Sequence, residues 1–493
     1  MKFIELINIV KERNDGKMFN ISVPGKFNNF EISGITNDSR LVKKDYIFMS
    51  VKGYKDDGDK YISAALEAGA GAVFTESEYP GEKIVRVNEI RKLTAVISSE
   101  INGNPAGKLK IIGITGTNGK TTITYLIRHL LEKHGKRCGL IGTIDYLSGK
   151  KKQGASLTTP DSPQIHEIFR EMAEEGIGYC IMEASSIALL LNRVYTIDFS
   201  GAVFTNLTSE HLDLHKNMDN YFEAKKILFD GLNENSFALS NCDDKYGEKI
   251  LEDTKAEKIF YSLEKESGIR AKDIKLNISG LEFSFNGIQF KSNLTGRFNV
   301  YNILAAIGAA YQLGIDYETS AEYLKTFEPV NGRFNSIRLQ NGAYAVIDYS
   351  HTSDSLENAI NAANDIMSHK EEKGKVITVF GCGGNKDRIK RPEMGRIAVS
   401  NSDFVIITSD NPRFEEPMDI INEILTGIDK KYENYIIEEN RELAIKKAIE
   451  ISKEGDIILV CGKGHETYQE IKGIRTHFDD KEEVQKYGKL LEK

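Results

Sequence analysis

The chain has 493 residues, 40% of them hydrophobic and 28% charged, and a formal net charge of -8. This length predicts about three domains, each large enough to fold around its own core without a metal or a disulfide. The negative charge argues against nucleic acid as the main partner, and no apolar stretch is long enough to span a bilayer.

The first block, residues 1–107, is predicted to be a small α/β unit. Residues 1–16 form a short amphipathic pattern that runs straight into charges, which favours a first helix and not a signal peptide. A helical pattern over residues 61–72 leads into a strand over residues 72–75. Asparagine, proline and glycine residues over 102–107 mark a boundary between this block and the next.

The second block, residues 108–332, begins with a short apolar run over 109–115 that is predicted to be a buried strand. The loop GTNGKTT follows at 116–122, and the apolar residues after it recur at helical spacing. Further strands are expected at 179–184 and 201–206, with helical patterns between them. This alternation predicts a mostly parallel sheet with helices on both faces.

Two later segments of the second block have distinctive turn and stop signals. Residues 281–290 read as a hairpin that turns at Asn286–Gly287, because Asn-Gly is a preferred two-residue hairpin loop. Residues 297–314 read as a helix that ends at Gly314.

The third block, residues 333–493, alternates strand-like and helical segments and is predicted to be a second doubly wound unit. Its strand-like runs are 343–349, 376–381, 403–408 and 456–462. The predicted fold class is therefore α/β, with three domains, a central P-loop domain around a parallel sheet and a Rossmann-like C-terminal domain. The five cysteines form no C-x-x-C pair, which argues against a disulfide framework or a zinc site and fits a reducing, cytoplasmic compartment.

The loop between the first strand and helix of the second block has the composition of a phosphate-binding loop. Gly116 and Gly119 let backbone N–H groups approach phosphate oxygens, and the start of the helix favours anions. Lys120 is expected to reach the β- and γ-phosphates of ATP, and the Thr121 hydroxyl to bind Mg²⁺. The general pattern has a glycine where Ile114 stands, so the match is to the shorter GTNGKT form. The alternative is an ordinary glycine-rich turn.

GTNGKTT resembles the loop of the Mur ligases, and further motifs in the family's order extend the resemblance over nearly the whole chain. They run from NDSR at 37–40 to GKGHE at 462–466 and include TTPDS, MEASS, FTNLTSEHLDLH, YFEAKKILF, FNVYN, IDYSHT, GCGGNKD, RPEMG and SDNPR. The chain most closely resembles the members that make UDP-N-acetylmuramoyl-tripeptides (the MurE type). The resemblance implies a UDP-sugar-binding domain at 1–107, an ATP-binding domain at 108–332 and an amino-acid-binding domain at 333–493.

The reaction that this resemblance implies uses ATP and Mg²⁺ to build a peptidoglycan precursor. ATP phosphorylates the free carboxylate of a UDP-N-acetylmuramoyl-dipeptide. The amine of a diamino acid then attacks the acyl phosphate. Phosphate departs, and an amide is formed. In such a reaction the protein mostly positions the reactants and neutralises charge.

The resemblance also assigns metal and carbamate positions. Glu183 is expected to bind Mg²⁺ with Thr121, and His211 to bind a second Mg²⁺; a helix N-terminal carboxylate and a structural histidine are the alternatives. Lys225 matches the family's carbamylated lysine, whose carbamate is an anion that can bind Mg²⁺. Lys226 beside it is expected to be a solvated side chain. The expected catalytic set is Lys120, Glu183, His211 and Lys225.

Two groups of substrate contacts follow from the same resemblance, with helix packing or loop polarity as the alternative roles. The expected ATP contacts are Gly116, Thr117, Asn118, Gly119, Lys120, Thr121, Thr122, Asn302, Arg333, Asp348 and His351. The expected UDP-sugar contacts are Ser39, Thr158, Thr159, Ser185 and Arg193. Contacts to one ATP from two domains imply domain closure on binding.

The motif DNPR at 410–413 resembles the family's recognition motif for meso-diaminopimelate. Arg413 offers a planar fork to the far carboxylate of that amino acid. Gly462 and Glu466 match positions that hold its far stereocentre, with Glu466 paired to the ammonium group. The expected amino-acid contacts are Lys386, Asp410, Asn411, Pro412, Arg413, Gly462 and Glu466.

Several positions depart from the family pattern and leave the added amino acid open. Lys386 stands where the family has an arginine for the α-carboxylate, and Arg388 could substitute for it. Arg413 could instead form a surface ion pair with Glu415 or Glu416. L-lysine and lanthionine therefore remain alternatives to diaminopimelate. The other departures are Ile187, Leu191, Asn331 and Ser353.

Two other classes of protein compete with this interpretation. A ligase with another acceptor, such as a folylpolyglutamate synthetase, is disfavoured by NDSR in an N-terminal domain. A nucleotide-binding scaffold without activity is disfavoured by the joint presence of the phosphate-loop lysine and the metal and carbamate positions.

Overall fold

In a computed structural model of the protein, described for residues 1–13, 18–53, 56–210, 212–368 and 374–489, the chain forms separate sheets in its N-terminal, central and C-terminal parts. Among the described residues, none of the helices is both long and apolar enough to cross a membrane.

The N-terminal part is a parallel sheet in the order β1-β2-β3-β4 with helices packed against it. The strand expected at 72–75 is confirmed, but the helix expected over 61–72 is shorter, because the chain turns at Gly69, whose φ is +99°. The helices are α1 (Phe3–Arg13), α2 (Ile62–Glu67) and α3 (Ile90–Ile101), and the strands are β1 (Gly34–Thr36), β2 (Tyr46–Met49), β3 (Ala72–Thr75) and β4 (Ile84–Arg86).

The strands of the central part are β5 (Lys110–Thr115), β6 (Cys138–Ile141), β7 (Asp145–Ser148), β8 (Lys151–Gly154), β9 (Tyr179–Glu183), β10 (Gly201–Phe204), β11 (Phe237–Asn241), β12 (Glu257–Ser262), β13 (Ile269–Arg270), β14 (Lys272–Asn277), β15 (Gly280–Phe285) and β16 (Ile288–Ser292). Its helices are α4 (Lys120–Lys133), α5 (Ser162–Glu174), α6 (Ser186–Leu190), α7 (Leu212–His215), α8 (Met218–Asp230), α9 (Arg297–Gln312) and α10 (Tyr317–Leu324).

The main central sheet has the order β13-β12-β11-β10-β5-β9-β6-β7-β8. Its strands are parallel except where β7 and β8 continue it as an antiparallel hairpin. One apolar core lies under α4 and α9 and another under α5 and α8, so helices cover both faces. The predicted mostly parallel sheet is therefore confirmed.

The local turn and stop signals of the central part are also confirmed. Phe285 pairs with Ile288 across the hairpin of β15 and β16, and both turn residues have positive φ, +53° at Asn286 and +77° at Gly287. Helix α9 ends at Gln312, and Gly314 follows with φ +85°. Glycine adopts this conformation without the strain that a Cβ would add.

The C-terminal part has a sheet in the order β17-β18-β22-β19-β20-β21, parallel except for the edge strand β17, and apolar cores on both faces. The strands are β17 (Asn335–Arg338), β18 (Tyr344–Asp348), β19 (Val376–Phe380), β20 (Phe404–Ile407), β21 (Tyr435–Ile437), β22 (Ile457–Cys461), β23 (Tyr468–Ile471) and β24 (Ile474–His477). The helices are α11 (Ser353–Ser368), α12 (Lys390–Asn401), α13 (Pro417–Leu425), α14 (Arg441–Ile451) and α15 (Asp480–Gly488).

The loops that carry the candidate site residues follow the carboxyl ends of parallel strands in both large sheets. In the central sheet these strands are β5, β9 and β10, and in the C-terminal sheet they are β18, β19, β20 and β22. Doubly wound sheets bind their ligands at this edge.

Candidate active site

The phosphate loop joins β5 to α4 and depends on two glycines. Gly116 has φ +142°, and a Cβ there would lie 1.9 Å from Thr205 Oγ1. Gly119 has φ +89°, and a Cβ there would lie 2.5 Å from Asn302 Oδ1. Asn302 is therefore packed directly against the loop, and Thr122 is buried in the first turn of α4. Any residue other than glycine at either of these two positions would therefore distort the loop.

Two lysines meet at one carbonyl oxygen of this loop. Lys120 Nζ donates to the carbonyls of Gly116, at 3.0 Å, and Thr117, at 2.7 Å, and Lys225 Nζ donates to the same Gly116 carbonyl at 2.8 Å. Burial lowers the pKa of Lys120, although the Glu210 carboxylate opposes this shift. The pKa of Lys225 lies well below its ordinary value because of burial and then because of the neighbouring Lys120. Burial and the repulsion between two adjacent cations therefore both favour the neutral form of the Lys225 amine.

Lys226, the next residue of α8, has a different environment. Its Nζ lies 2.6 Å from carboxylate oxygens of both Asp230 and Asp253. Burial acts to lower the pKa of Lys226, but the two carboxylates outweigh it and raise that pKa. The expectation of a solvated side chain is wrong, because only 8% of this side chain is exposed.

Glu183, at the end of β9, is the carboxylate of the central site that bonds the first turn of α4. It is buried, and its Oε1 accepts from Thr121 Oγ1 and from the Thr143 backbone N–H, both at 2.9 Å. Its Oε2 accepts from Thr143 Oγ1 at 2.9 Å, and that hydroxyl lies 3.1 Å from Thr158 Oγ1. Arg333 Nη2 donates to Thr121 Oγ1 at 3.2 Å. Thr121, Glu183 and Thr158 therefore belong to one network.

The oxygen atoms of this network are suitable ligands for a hard cation such as Mg²⁺. A threonine hydroxyl and a carboxylate are the oxygen ligands that Mg²⁺ prefers, and Thr121 and Glu183 present theirs side by side. His211, the expected ligand of a second ion, lies outside the described residues. No group of three or more His, Cys, Asp and Glu side chains in the described part of the chain is arranged to hold a metal ion.

Three expected UDP-sugar contacts adjoin the carboxyl end of β9. Thr159 Oγ1 donates to the Glu183 carbonyl at 2.7 Å and accepts from the Ser185 backbone N–H at 3.0 Å. Arg193 Nη1 donates to the Thr159 carbonyl at 2.8 Å. Ser39, another expected UDP-sugar contact, begins a short 3-10 turn of the N-terminal part. Hydrogen bonds to Thr159 therefore connect Ser185 and Arg193 with Glu183 and its network.

Two side chains from beyond residue 332 reach the phosphate loop. Arg333 bonds Thr121, as described above, and Asp354 Oδ2 accepts from Asn118 Nδ2 at 2.7 Å. The same carboxylate oxygen accepts from Thr208 Oγ1 at 2.8 Å. The C-terminal part of the chain is thus in direct contact with the loop.

Asp348 ends β18, and His351 lies in the loop that follows it. Asp348 Oδ2 accepts from the Phe334 backbone N–H at 2.7 Å, and burial raises the pKa of this carboxyl. His351 Nδ1 lies 2.9 Å from the Tyr349 carbonyl, and its Nε2 lies 4.0 Å from Glu210. Burial, and then the charge of a nearby lysine, lowers the pKa of His351 to about 4, so the ring is neutral at neutral pH.

The expected amino-acid contacts cluster after β20 and β22. Asn411 Nδ2 donates to Glu466 Oε2 at 2.7 Å. A Cβ at Gly462 would lie 2.6 Å from Asp410 Oδ2, so the two loops are in close contact. Asp410, Asn411 and Pro412 are buried. Burial, and then the Asp410 carboxylate, raises the pKa of Glu466.

Arg413 is half-buried, and its Nη1 donates to the Gly384 carbonyl at 2.9 Å. This bond is to a backbone carbonyl, whereas the alternative was a surface ion pair with the carboxylate of Glu415 or Glu416. Those carboxylates pair with other cations, as Glu415–Arg391 at 2.8 Å and Glu416–Lys472 at 3.2 Å.

Lys386 and Arg388, the residue that could substitute for an arginine at that position, both lie near the surface. Lys386 is exposed on the loop after β19. Arg388, which could have substituted for an arginine at that position, pairs with Glu423 and remains 64% exposed. The structure therefore places Arg388 in a surface ion pair.

Sequence reasoning missed several residues of this site. Thr143 and Asp354 hold Glu183 and the phosphate loop, and Glu210 influences Lys120, Lys225 and His351. Lys463 is wholly buried among the expected amino-acid contacts. Glu210 adjoins His211 and Lys463 lies within GKGHE, so proximity to these motifs was the available signal.

Comparisons with known families match most of the chain. The matching family models are described as "Mur ligase family, catalytic domain" over residues 31–107, "Mur ligase middle domain" over 114–310 and "Mur ligase, glutamate ligase domain" over 332–464.

Two relatives are similar over nearly their whole length, and both are named UDP-N-acetylmuramoyl-L-alanyl-D-glutamate--2,6-diaminopimelate ligase. The relative from Clostridium botulinum is 43% identical over 478 residues, covering 94% of this chain and 97% of its own. The relative from Phocaeicola vulgatus is 44% identical, covering 92% and 94%.

Solved structures give the same picture. A structure of a UDP-N-acetylmuramoyl-L-alanyl-D-glutamate--2,6-diaminopimelate ligase is 32% identical, with a TM-score of 0.66 and coverage of 94% of this chain and 96% of that one. The MurF ligase from Thermotoga maritima, solved in complex with ADP, is 19% identical with a TM-score of 0.62, covers 93% of this chain and 98% of its own, and shares the fold.

Proposed function

The chain belongs to the Mur ligase family, and on that premise we propose that it is an ATP-dependent ligase that joins 2,6-diaminopimelate to UDP-N-acetylmuramoyl-L-alanyl-D-glutamate. Residues 1–107 bind the UDP-sugar, residues 108–332 bind ATP, and residues 333–493 bind the amino acid. The product is a peptidoglycan precursor.

The contact between the C-terminal part and the phosphate loop is the observation that carries this proposal. Arg333 bonds Thr121 and Asp354 bonds Asn118, so the edge of the sheet that holds the amino-acid contacts faces the loop that would hold ATP. A ligase needs this arrangement, because the amine must reach an acyl phosphate formed beside the nucleotide.

The reaction has two steps. A carboxylate oxygen of the dipeptide attacks the γ-phosphorus of ATP, and ADP leaves. The amine of diaminopimelate then attacks the acyl carbon, loses a proton and expels phosphate, so an amide forms. Lys120 neutralises the charge of the phosphates during the first step, and Arg333 lies beside the same loop.

Thr121 and Glu183 would hold Mg²⁺, which supplies positive charge at the phosphates when it is bound. We include Lys225 in this site as a carbamate. A neutral lysine amine adds to CO₂ and releases a proton, which leaves an anion. The buried position of Lys225 and its neighbour Lys120 favour the neutral amine that this step requires.

The added amino acid is most consistent with diaminopimelate. Its far end carries a carboxylate and an ammonium group, whereas the far end of L-lysine carries only the ammonium group. Arg413 would bind the carboxylate as a planar fork, and Glu466 would bind the ammonium group. Lanthionine presents similar ends and is the second candidate; with L-lysine, Arg413 would face a cation.

Phosphate release tests the proposal. The purified protein is supplied with ATP, Mg²⁺ and UDP-N-acetylmuramoyl-L-alanyl-D-glutamate, and with meso-diaminopimelate, lanthionine or L-lysine in parallel. Turnover that requires both the nucleotide sugar and a dicarboxylate is the expected result. Faster turnover with L-lysine than with either dicarboxylate would refute the choice of amino acid, and no turnover with any of the three would refute the ligase.

A further inference from the structure

A buried lysine lies in the middle of the candidate amino-acid site, and none of the contacts proposed above uses it. Lys463 follows β22, and its side chain is 0% exposed. Its Nζ lies 3.2 Å from Asn411 Oδ1, 3.9 Å from Asp410 Oδ1 and 3.7 Å from Glu466 Oε2, and it also donates to the Tyr468 carbonyl. The lysine therefore lies between the two carboxylates of the site.

Oxygen acceptors and aromatic rings surround the Lys463 amine. The four contacts are all to oxygen acceptors, and the ring centroids of Tyr468 and Phe478 lie 5.5 Å and 6.0 Å from Nζ. Burial lowers the pKa of Lys463, and the Asp410 carboxylate opposes that shift most strongly. A nearby second cation, the Arg441 guanidinium, is already neutralised by its buried pair with Asp480 at 2.7 Å.

We call the group formed by Asp410, Arg413, Lys463 and Glu466 the far-end pocket, because it would surround the far end of the amino acid. The charges of this pocket balance. In their ordinary ionised forms Asp410 and Glu466 are negative and Lys463 and Arg413 are positive, so the four side chains sum to zero. The far end of diaminopimelate also sums to zero, because it carries one carboxylate and one ammonium group. The side chain of L-lysine brings one uncompensated positive charge into a pocket where charges are poorly solvated.

We propose that Lys463 is a positioning residue that sets this charge balance, and that it makes the site select a zwitterionic far end over the cationic end of lysine. It acts through the two carboxylates that it separates, Asp410 and Glu466. The inference rests on the proposed function, because it concerns which amino acid that ligase accepts.

The balance predicts opposite effects for two substitutions. Lys463→Met leaves the pocket with one extra negative charge, so the ratio of kcat/KM for meso-diaminopimelate to that for L-lysine should fall about tenfold to a hundredfold, the scale of one charged hydrogen bond. Glu466→Gln leaves one extra positive charge, and the same ratio should rise. The double variant restores neutrality, so its ratio should return towards that of the wild type although both rates are lower.

The test measures kcat/KM for both amino acids by phosphate release in the wild type, the two single variants and the double variant. Lys446→Met, on the exposed side of α14, is the matched control and should leave the ratio unchanged. A wild type that prefers meso-diaminopimelate, with a Lys463→Met variant that slows both substrates equally, would overturn the inference and leave the proposed function standing. A wild type that uses neither amino acid would overturn both.

Thermal melts separate a folding defect from an effect on selectivity. If Lys463→Met does not fold, Glu466→Gln, which keeps Lys463, decides the matter. The inference is overturned if the ratio does not rise in Glu466→Gln or does not fall back when the lysine is also replaced.

Discussion

The adjacent lysines of α8 allow a sharp test of the carbamate. Lys225 is buried against the phosphate loop and Lys226 is bound by Asp230 and Asp253, so the same substitution should have different effects at neighbouring positions. Lys225→Ala removes the amine that would carry the carbamate. Its kcat should fall by about 10²–10³, which is the scale of losing one electrostatic contact in an enclosed active site.

The effect of Lys226→Ala should instead appear in stability. Its two carboxylate partners are 44% and 70% exposed, so each ion pair contributes about 0.2–1 kcal/mol. The free energy of unfolding should therefore fall by about 1 kcal/mol, and kcat should change less than twofold or so, because neither carboxylate belongs to the site.

Two measurements distinguish these outcomes. Phosphate release gives kcat, and urea melts give the free energy of unfolding. After equilibration with ¹³C-bicarbonate, a carbamate signal in the ¹³C NMR spectrum should be present in the wild type and in Lys226→Ala and missing from Lys225→Ala. Equal losses of activity in the two variants, or a carbamate signal that survives in Lys225→Ala, would refute the assignment.

Three further predictions concern other parts of the site. Lys120→Ala should lower kcat by about 10³ while the melting curve stays that of the wild type, because the Lys120 side chain bonds only loop carbonyls among its described partners; Lys133→Ala, on the exposed end of α4, is the control. Arg413→Ala should cost about 1.5–3 kcal/mol in kcat/KM for meso-diaminopimelate, and Lys472→Ala, at a neighbouring exposed position with the same positive φ, should not; equal effects would make Arg413 a surface residue. The side-chain hydrogen bond from Arg391 lowers the pKa of Glu415 from 4.5 to about 2. The Glu415–Arg391 pair therefore contributes fully to stability above about pH 4.5, and this contribution is lost as the pH falls towards about 2. The free energies of unfolding of wild type and Glu415→Gln, measured by urea melts, should converge over that range. A constant difference would contradict the pairing.

Local features of this protein were predictable because neighbouring residues encode them. The strand before the phosphate loop, the hairpin turn at Asn286–Gly287 and the end of α9 before Gly314 each depend on apolar spacing or on the φ that glycine and asparagine tolerate. The family motifs likewise lie in short continuous segments, so the loops of the site could be named from the sequence.

The environment of each side chain was decided only by the tertiary structure. Sequence spacing cannot distinguish Lys225 from Lys226, because one partner of Lys225 lies 109 residues away and one partner of Lys226 lies 27 residues away. Arg333 bonds a threonine 212 residues earlier. The burial of Lys463 between Asp410 and Glu466 likewise requires β20 and β22 to end at the same edge of the sheet. Local periodicity determines which segments are helices and strands, but charge and burial depend on which distant segments the fold brings together.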